Sequence, residues 1–354
     1  MAPTAPGIKK DWLYAQVSNK LLLLATLTLF SIAGCGNPAS RKSVDTSSVG
    51  SEASCRSIQH RSGVTRICEQ AQRVVALDPH ALDLLLTLGI QPVGYAEDKR
   101  ALVGSPKSGE PTVQVKYLGD RLTRPPIHVG TWQTPSLEAI LKLKPDLILG
   151  RIEPSLYLPL AKIAPTLPLE PSSQERWQDG LLKLGKAMNR EAQAQREIEQ
   201  HQQRMAIARD KLKPITQTSK LLLLAVSATN QIEIFTDTTY AGGLLKDLGF
   251  QLVIPRPTNS GEINISLEAL PQINADTIIV MASGNSNVEQ VQKEWRNNPI
   301  LQSLPASQAK RVHFVDYQLW SRIEGPIAAE LILKQVQELL LPAKALLPKV
   351  ETES

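Results

Sequence analysis

The chain has 354 residues, 42% of them apolar and 21% charged, with a formal net charge of +5. That length carries a large core or two lobes, and the composition is ordinary for a globular protein. The charge is small and scattered, which argues against a nucleic-acid binder held by a basic face.

Lys9, Lys10 and Lys20 precede an apolar run at 21–33, and Ala33 and Gly34 then meet Cys35. A charged n-region, an apolar h-region and a small-residue cleavage site make an export signal. The run is about 13 residues long, short of the ~20 that a bilayer-spanning helix needs. Ile32-Ala33-Gly34-Cys35 resembles a bacterial lipobox, which implies cleavage before Cys35 and lipidation of that cysteine. An uncleaved anchor is the alternative. Loss of residues 1–34 takes Lys9, Lys10, Lys20 and Asp11 away and lowers the charge to +3. Residues 35–54, rich in Ser, Asn, Pro and Gly, read as a flexible tether.

Cys55 and Cys68 flank RSIQHRSGVTRI at 56–67, two short strands around Arg61-Ser62-Gly63. An exported chain favours a disulfide between them. Two free thiols are the alternative; a zinc pair lacks CxxC spacing, and His60 alone does not complete it.

The first lobe, 55–170, opens with an apolar strand at 73–77, RVVAL. Asp78 caps a helix at 81–88 with Pro79 in its first turn, and Gly89 stops it. Strands follow at 90–95, 127–129 and 146–150, with helices at 136–143 and 156–163. Strands this uniformly apolar fit a parallel sheet buried on both faces. From 174 to 211 no strand signal appears, and apolar residues recur at helical spacing. One connecting helix, assigned to 171–214, is expected, with Gly180 and Gly185 as possible breaks and Pro214 as its end. The second lobe, 215–345, repeats the grammar: strands at 220–227, 232–235, 250–254, 276–281 and 311–315, and helices at 242–248, 266–270, 288–295 and 325–341. A tail covers 346–354. The fold class is α/β, two Rossmann-like lobes on one long helix with a cleft between them.

Several segments carry a resemblance. RVVALDPHALDLLLTLGIQPVGY at 73–95, VGTWQTPSLEAILKLKPDLILG at 129–150, GLLKDLGF at 243–250, ISLEALPQINADTIIVM at 265–281, and PILQSLP with RVHFVDYQLW within 298–320 are similar to the substrate-binding proteins of ABC importers for iron–siderophore complexes and cobalamin. The resemblance implies a non-enzymatic protein that takes a ferric chelate between its lobes. It would deliver the chelate to a permease dimer with its ATPase. It implies no cofactor, no nucleic acid and a monomer, anchored by lipid to the cell membrane and facing the periplasm or the exterior. Cobalamin and haem are the alternative ligands; an envelope scaffold or sensor without transport is the alternative class. The lobes on a stiff helix imply only small opening motions.

Glu138 and Glu268 both follow Ser-Leu at the start of a short helix, one per lobe. The resemblance implies that such a pair meets arginines of the permease, and exposed charges at a fixed separation can steer docking. A capping pair with Ser136 or Ser266 is the local alternative. Trp132 lies in a loop that the resemblance places along the cleft, where an arginine of hydroxamate binders is absent. Arg151 follows the strand at 146–150, and carboxyl ends of parallel strands face ligand crevices. A guanidinium there suits an anionic chelate, with a salt bridge to Glu153 as the alternative. Tyr240, Trp320 and Arg322 sit in comparable second-lobe loops, and His80 stands where a strand meets a helix. These six are the candidate ligand contacts. No direct metal site is expected, because His80, His128, His201 and His313 are scattered. GxGxxG, GxxxxGK[ST], GxSxG and HExxH are all missing, which argues against an enzyme.

Overall fold

The computed structural model describes residues 55–68, 70–97, 107–112, 115–169, 176–226, 231–256, 258, 260–284 and 286–342. The signal, Cys35, the tether and the 346–354 tail lie outside the described residues.

An antiparallel hairpin comes first, β1 (Arg56–His60) and β2 (Gly63–Ile67), with Cys55 and Cys68 joined by a disulfide at its open end. It lies against both the first lobe and the connection that follows it: Thr65 Oγ1 donates to Thr166 O, and Arg56 Nε donates to Ala187 O at 3.1 Å. The bridge closes a short loop, 13 residues apart in sequence, and its main effect falls on the unfolded chain, about 2–3 kcal/mol. The double variant Cys55→Ser/Cys68→Ser is therefore expected to lose about that much stability in denaturant titration. Hydrogen exchange should rise in the hairpin while the sheets stay protected.

The first sheet takes β3 (Val74–Ala76), β4 (Gly94–Glu97), β5 (Ile127–Thr131), β6 (Leu147–Gly150) and β7 (Thr166–Pro168) in the order β5-β4-β3-β6-β7, all parallel. Helices α1 (Pro79–Thr87), α2 (Leu137–Lys142) and α3 (Pro154–Ala161) cross between its strands. Asp78 caps α1, its Oδ1 accepting from Ala81 N at 2.7 Å. The order reverses between β3 and β6, the kind of switch point where open α/β sheets bind ligands. β7 is too short, at three residues, to stand out in the sequence.

The connection is two helices rather than one, α4 (Trp177–Met188) and α5 (Glu191–Thr216). The break falls at Asn189, left-handed at φ 56°, and not at Gly180 or Gly185. Gly185 instead lets the helices cross closely, since a Cβ there would lie 2.9 Å from Ala194 Cβ. α5 passes through Pro214 before it ends, because a proline in the last turn removes only one amide from the ladder. Its 26 residues span about 39 Å.

The second sheet runs β11-β9-β8-β12-β13: β8 (Lys220–Val226), β9 (Ile232–Phe235), β10 (Gln251–Leu252) against the start of β8, β11 (Glu262–Ile265), β12 (Thr277–Ala282) and β13 (Val312–Asp316). β9 and β11 are antiparallel, so this half departs from an all-parallel reading. Its helices are α6 (Tyr240–Asp247), α7 (Val288–Asn297), α8 (Pro299–Gln302), α9 (Pro305–Gln308) and α10 (Pro326–Leu340). Alternate residues divide between the faces of each sheet. Val74, Ala76, Leu147 and Leu149 of the first sheet and Leu221, Leu223, Ile279 and Met281 of the second join one core with α1, α4, α5 and α10. The opposite faces carry separate, smaller cores. His201 fastens α5 inside the shared core, with Nδ1 at 2.9 Å from Glu330 Oε1 and its ring edge-on to Trp177.

Candidate functional site

At the switch point of the first sheet, Asp78 stands two residues after β3 and Arg151 directly follows β6. Asp78 joins them: one carboxylate oxygen caps α1 and the other accepts the Arg151 backbone N–H. The Arg151 side chain then extends over the Trp132 ring, 5.3 Å from its centroid. Its Nη2 donates to Glu324 Oε2 of the second lobe at 3.1 Å. The Arg151 partner across the cleft is therefore Glu324 rather than Glu153. Trp132 and Arg151 form one unit, a cation on an aromatic face at the carboxyl end of a parallel sheet.

Glu324 follows a π-helical turn, Leu319–Ile323, and is itself left-handed at φ 56°. Its backbone is held from both lobes. His80 Nδ1 bonds to Glu324 O at 3.0 Å, and the Tyr240 hydroxyl donates to Gly325 O at 2.5 Å. The first bond places a proton on His80 Nδ1, and Nε2 is buried with no hydrogen-bond partner among the described residues. Burial pushes the His80 imidazole below its ordinary value and the Tyr240 phenol well above its own. Burial also pushes Glu324 up to about 7, against the pull of Arg151 and Arg322.

Just beyond, Gly325 opens α10, and Asp83 of α1 takes the free amides of that helix. Ile327 N and Ala328 N donate to its two oxygens at 3.0 and 2.9 Å. A Cβ on Gly325 would lie 2.3 Å from Asp83 Cγ, so glycine is what lets the two lobes approach here. Lys116 and Asp316 pair across the lobes as well.

Beside Glu324 lies a cavity of about 430 Å³, lined by Trp177, Thr238, Tyr240, Trp320, Ser321 and Glu324 among others. That volume suits a small ligand, for which ~300–1,000 Å³ is usual. The candidate contacts divide around it. Tyr240 borders the cavity. Trp320 also lines it, with its side chain 0% exposed to bulk solvent and its Nε1 donating to Gln335 Oε1 at 2.8 Å. Arg151, Trp132 and Arg322 are not among its lining residues: Arg151 touches the lining residue Glu324, Trp132 lies behind Arg151, and Arg322 stacks on Tyr317 at 4.8 Å and donates to its hydroxyl at 3.0 Å. His80 is corrected: at 1% exposure it lies beneath the cleft and holds Glu324 rather than a ligand.

Glu138 and Glu268 are both exposed. Neither forms a capping box. Ser136 Oγ accepts from Ala139 N, and Glu138 pairs with Lys142 one turn on at 2.7 Å. That contact holds the Glu138 carboxyl below its ordinary value. Glu138 stands two residues after Ser136, one short of the reciprocal position. Ser266 makes no side-chain cap. Sequence reasoning missed Glu324 and Asp83. Glu324-Gly325-Pro326 reads only as a helix start, and Asp83 as a polar residue within an otherwise apolar helix. A buried charge inside such a helix is the one signal that could have marked Asp83.

Known proteins share this architecture. The Fe(3+) dicitrate-binding periplasmic protein FecB of Escherichia coli is 31% identical over 288 residues, covering 80% of this chain and 89% of FecB. The Fe(3+)-citrate-binding protein YfmC of Bacillus subtilis is 28% identical over 331 residues, covering 90% of this chain and 96% of YfmC. The crystal structure of Staphylococcus aureus SirA complexed with staphyloferrin B superposes with a TM-score of 0.66 at 27% identity, covering 80% of this chain and 98% of SirA. The family described as periplasmic binding protein matches residues 74–319, a span that runs from β3 through both connecting helices to the π-helical turn. By that span the chain belongs to the periplasmic binding protein family, and it is a binding protein and not an enzyme.

Proposed function

We propose that the chain is the substrate-binding lipoprotein of an ABC importer. It captures a ferric chelate of the siderophore type, with ferric citrate as the first candidate. It is held by a lipid on Cys35 and acts as a monomer outside the cytoplasmic membrane. The observation that carries this reading is the Arg151 guanidinium, stacked on Trp132 at the switch point and paired with Glu324, which lines a cavity. A delocalised cation on an aromatic face suits an anionic chelate with an apolar body. Relatives named for ferric citrate support the same ligand.

The test is tryptophan fluorescence, since Trp132, Trp177 and Trp320 stand at or behind the cleft. Titration with ferric citrate should quench it saturably and return the chelate unchanged. Ferric catecholates, haem and cobalamin run beside it rank the ligand class. Absence of binding to every ferric chelate would overturn the reading.

Glu138 and Glu268 are the proposed contacts with the permease. An exposed pair such as Glu138–Lys142 contributes little to stability, so its carboxylate can exchange Lys142 for a partner's cation. Reversing both charges, Glu138→Arg with Glu268→Arg, is expected to abolish uptake and leave ferric citrate affinity unchanged. Weaker ligand binding would remove the assignment.

Opening is proposed to be small, because separating the lobes would break the core that α1, α4, α5 and α10 share. Solution scattering of the free and ferric citrate-loaded protein should give the same radius of gyration within error; a large compaction would contradict it.

A further inference from the structure

Resting on the ferric-chelate reading above, we propose that Glu324 is an internal stand-in for a ligand carboxylate. It occupies Arg151 until an anionic oxygen of the chelate exchanges for it, and so makes the site selective for ferric chelates that bring free carboxylates.

The geometry carries this in four parts. The Arg151–Glu324 pair crosses the cleft at 3.1 Å, with side chains 28% and 17% exposed, so solvent reaches it without leaving it fully wet. Arg151 is fixed from behind, by Asp78 on its backbone N–H and by the Trp132 ring under its guanidinium, so the cation stays in place when its partner changes. Glu324, by contrast, is held through its backbone, by His80 on its carbonyl and Tyr240 on the next one. Its carboxylate can swing away while the segment stays anchored. Finally, Glu324 lines the 430 Å³ cavity, so the space it would vacate adjoins the space a ligand would fill.

The energetics favour exchange over addition. A partly buried ion pair returns little net stability, because desolvation cancels much of its attraction. Replacing one carboxylate by another keeps the guanidinium paired, and the displaced Glu324 takes a proton or turns to solvent, whereas a neutral ligand would leave the Arg151 charge without a carboxylate. The titratable groups facing Glu324 are Arg151, Asp78 and His80 from the first lobe, Tyr240 from α6, and Arg322 on its own segment. Burial sets Glu324 to titrate at about 7. Protonation removes its charge from Arg151, so the competition weakens as pH falls through neutrality.

The experiment compares the wild-type chain with Glu324→Gln and Glu324→Gly, titrated with ferric citrate at pH 8 and pH 6. Glycine suits the left-handed backbone at this position and guards against misfolding. Both variants are expected to bind on the order of tenfold more tightly than wild type at pH 8. At pH 6 the ratio should shrink toward one, and taking the ratio cancels any protonation of the chelate itself. Variants that bind equally or more weakly at pH 8 overturn the proposal, since a Glu324 that contacts the ligand or only supports the fold would give that result. So does a ratio that ignores pH. Iron-free citrate is titrated in parallel. If wild type binds no ferric chelate, the ferric-chelate reading falls by itself. Iron-free citrate then still reads the exchange, and the absence of tighter binding by Glu324→Gln overturns it.

Discussion

Replacing Asp83 by alanine is expected to destabilise the protein by about 2–6 kcal/mol, more than any other single change at the lobe junction. Asp83 is fully buried and is the acceptor for two amides of α10, Ile327 N and Ala328 N, with Thr87 Oγ1 at 3.3 Å on the same carboxylate. Alanine leaves both amides buried and unsatisfied, and each such donor costs about 1–3 kcal/mol. Asp83→Asn keeps one acceptor oxygen and should lose roughly half as much. The check is denaturant unfolding of the three proteins. An alanine variant within error of wild type would show that α10 finds its cap elsewhere.

The same residue predicts a pH dependence. Burial pushes Asp83 up to about 7, against the pull of its two amide donors, and Glu324 reaches about 7 as well. Unfolded, both are ordinary carboxylates near 4. Between those values the folded state holds protons that the unfolded state releases, so stability falls as pH rises from about 4 to about 7 and then levels. Glu330 acts in the opposite sense. Burial raises it, but hydrogen bonds from His201 and Arg204 outweigh that and hold it below its ordinary value. The decisive measurement is therefore the difference between wild type and Asp83→Asn. The fall in melting temperature from pH 5 to pH 7.5 should be shallower in the variant, and an identical slope would refute the assignment.

Replacing Arg151 by methionine is expected to weaken ferric citrate binding by about 30- to 1,000-fold with little effect on stability. Methionine keeps most of the stem but removes the charged donors. Hydrogen bonds to charged groups contribute about 1.5–3 kcal/mol, and the lost stacking on Trp132 adds about 0.5–1 kcal/mol. The fold should tolerate the change, because Asp78 binds the Arg151 backbone and not its side chain. Glu324, left without its cation, would neutralise near physiological pH rather than unfold the lobe. Arg151→Lys should recover only part of the affinity, since a point charge cannot present the planar fork. Titration calorimetry of the three proteins decides it; unchanged affinity in Arg151→Met would move the anion site away from this guanidinium.

Much of this was legible in the chain itself. The apolar runs at 73–77 and 146–150 declared strands buried on both faces, and Asp78-Pro79 declared the start of a helix between them. Parallel strands bring their carboxyl ends to one edge of the sheet, which is why the place of Arg151 at that edge could be read from its position alone. Trp132 was readable as a loop aromatic, but not as the surface on which Arg151 lies. Short elements escaped: β7 and β11 span three and four residues, and their strand character comes from neighbours that pair with them.

What the sequence determined by itself was the set of amphipathic and apolar segments, their order and the polar residues at their ends, because those depend on period, capping and chain stops within a few residues. What only the tertiary structure decided was which of those polar residues meet. Asp83 reaches Ile327 and Arg151 reaches Glu324 across 244 and 173 positions of chain. Such pairings arise when α1, α10 and the π-helical turn pack around one core, and burial there converts ordinary carboxylates into groups that titrate near neutrality. Local sequence carries no term for that desolvation; it exists only after two lobes have excluded water from the space between them.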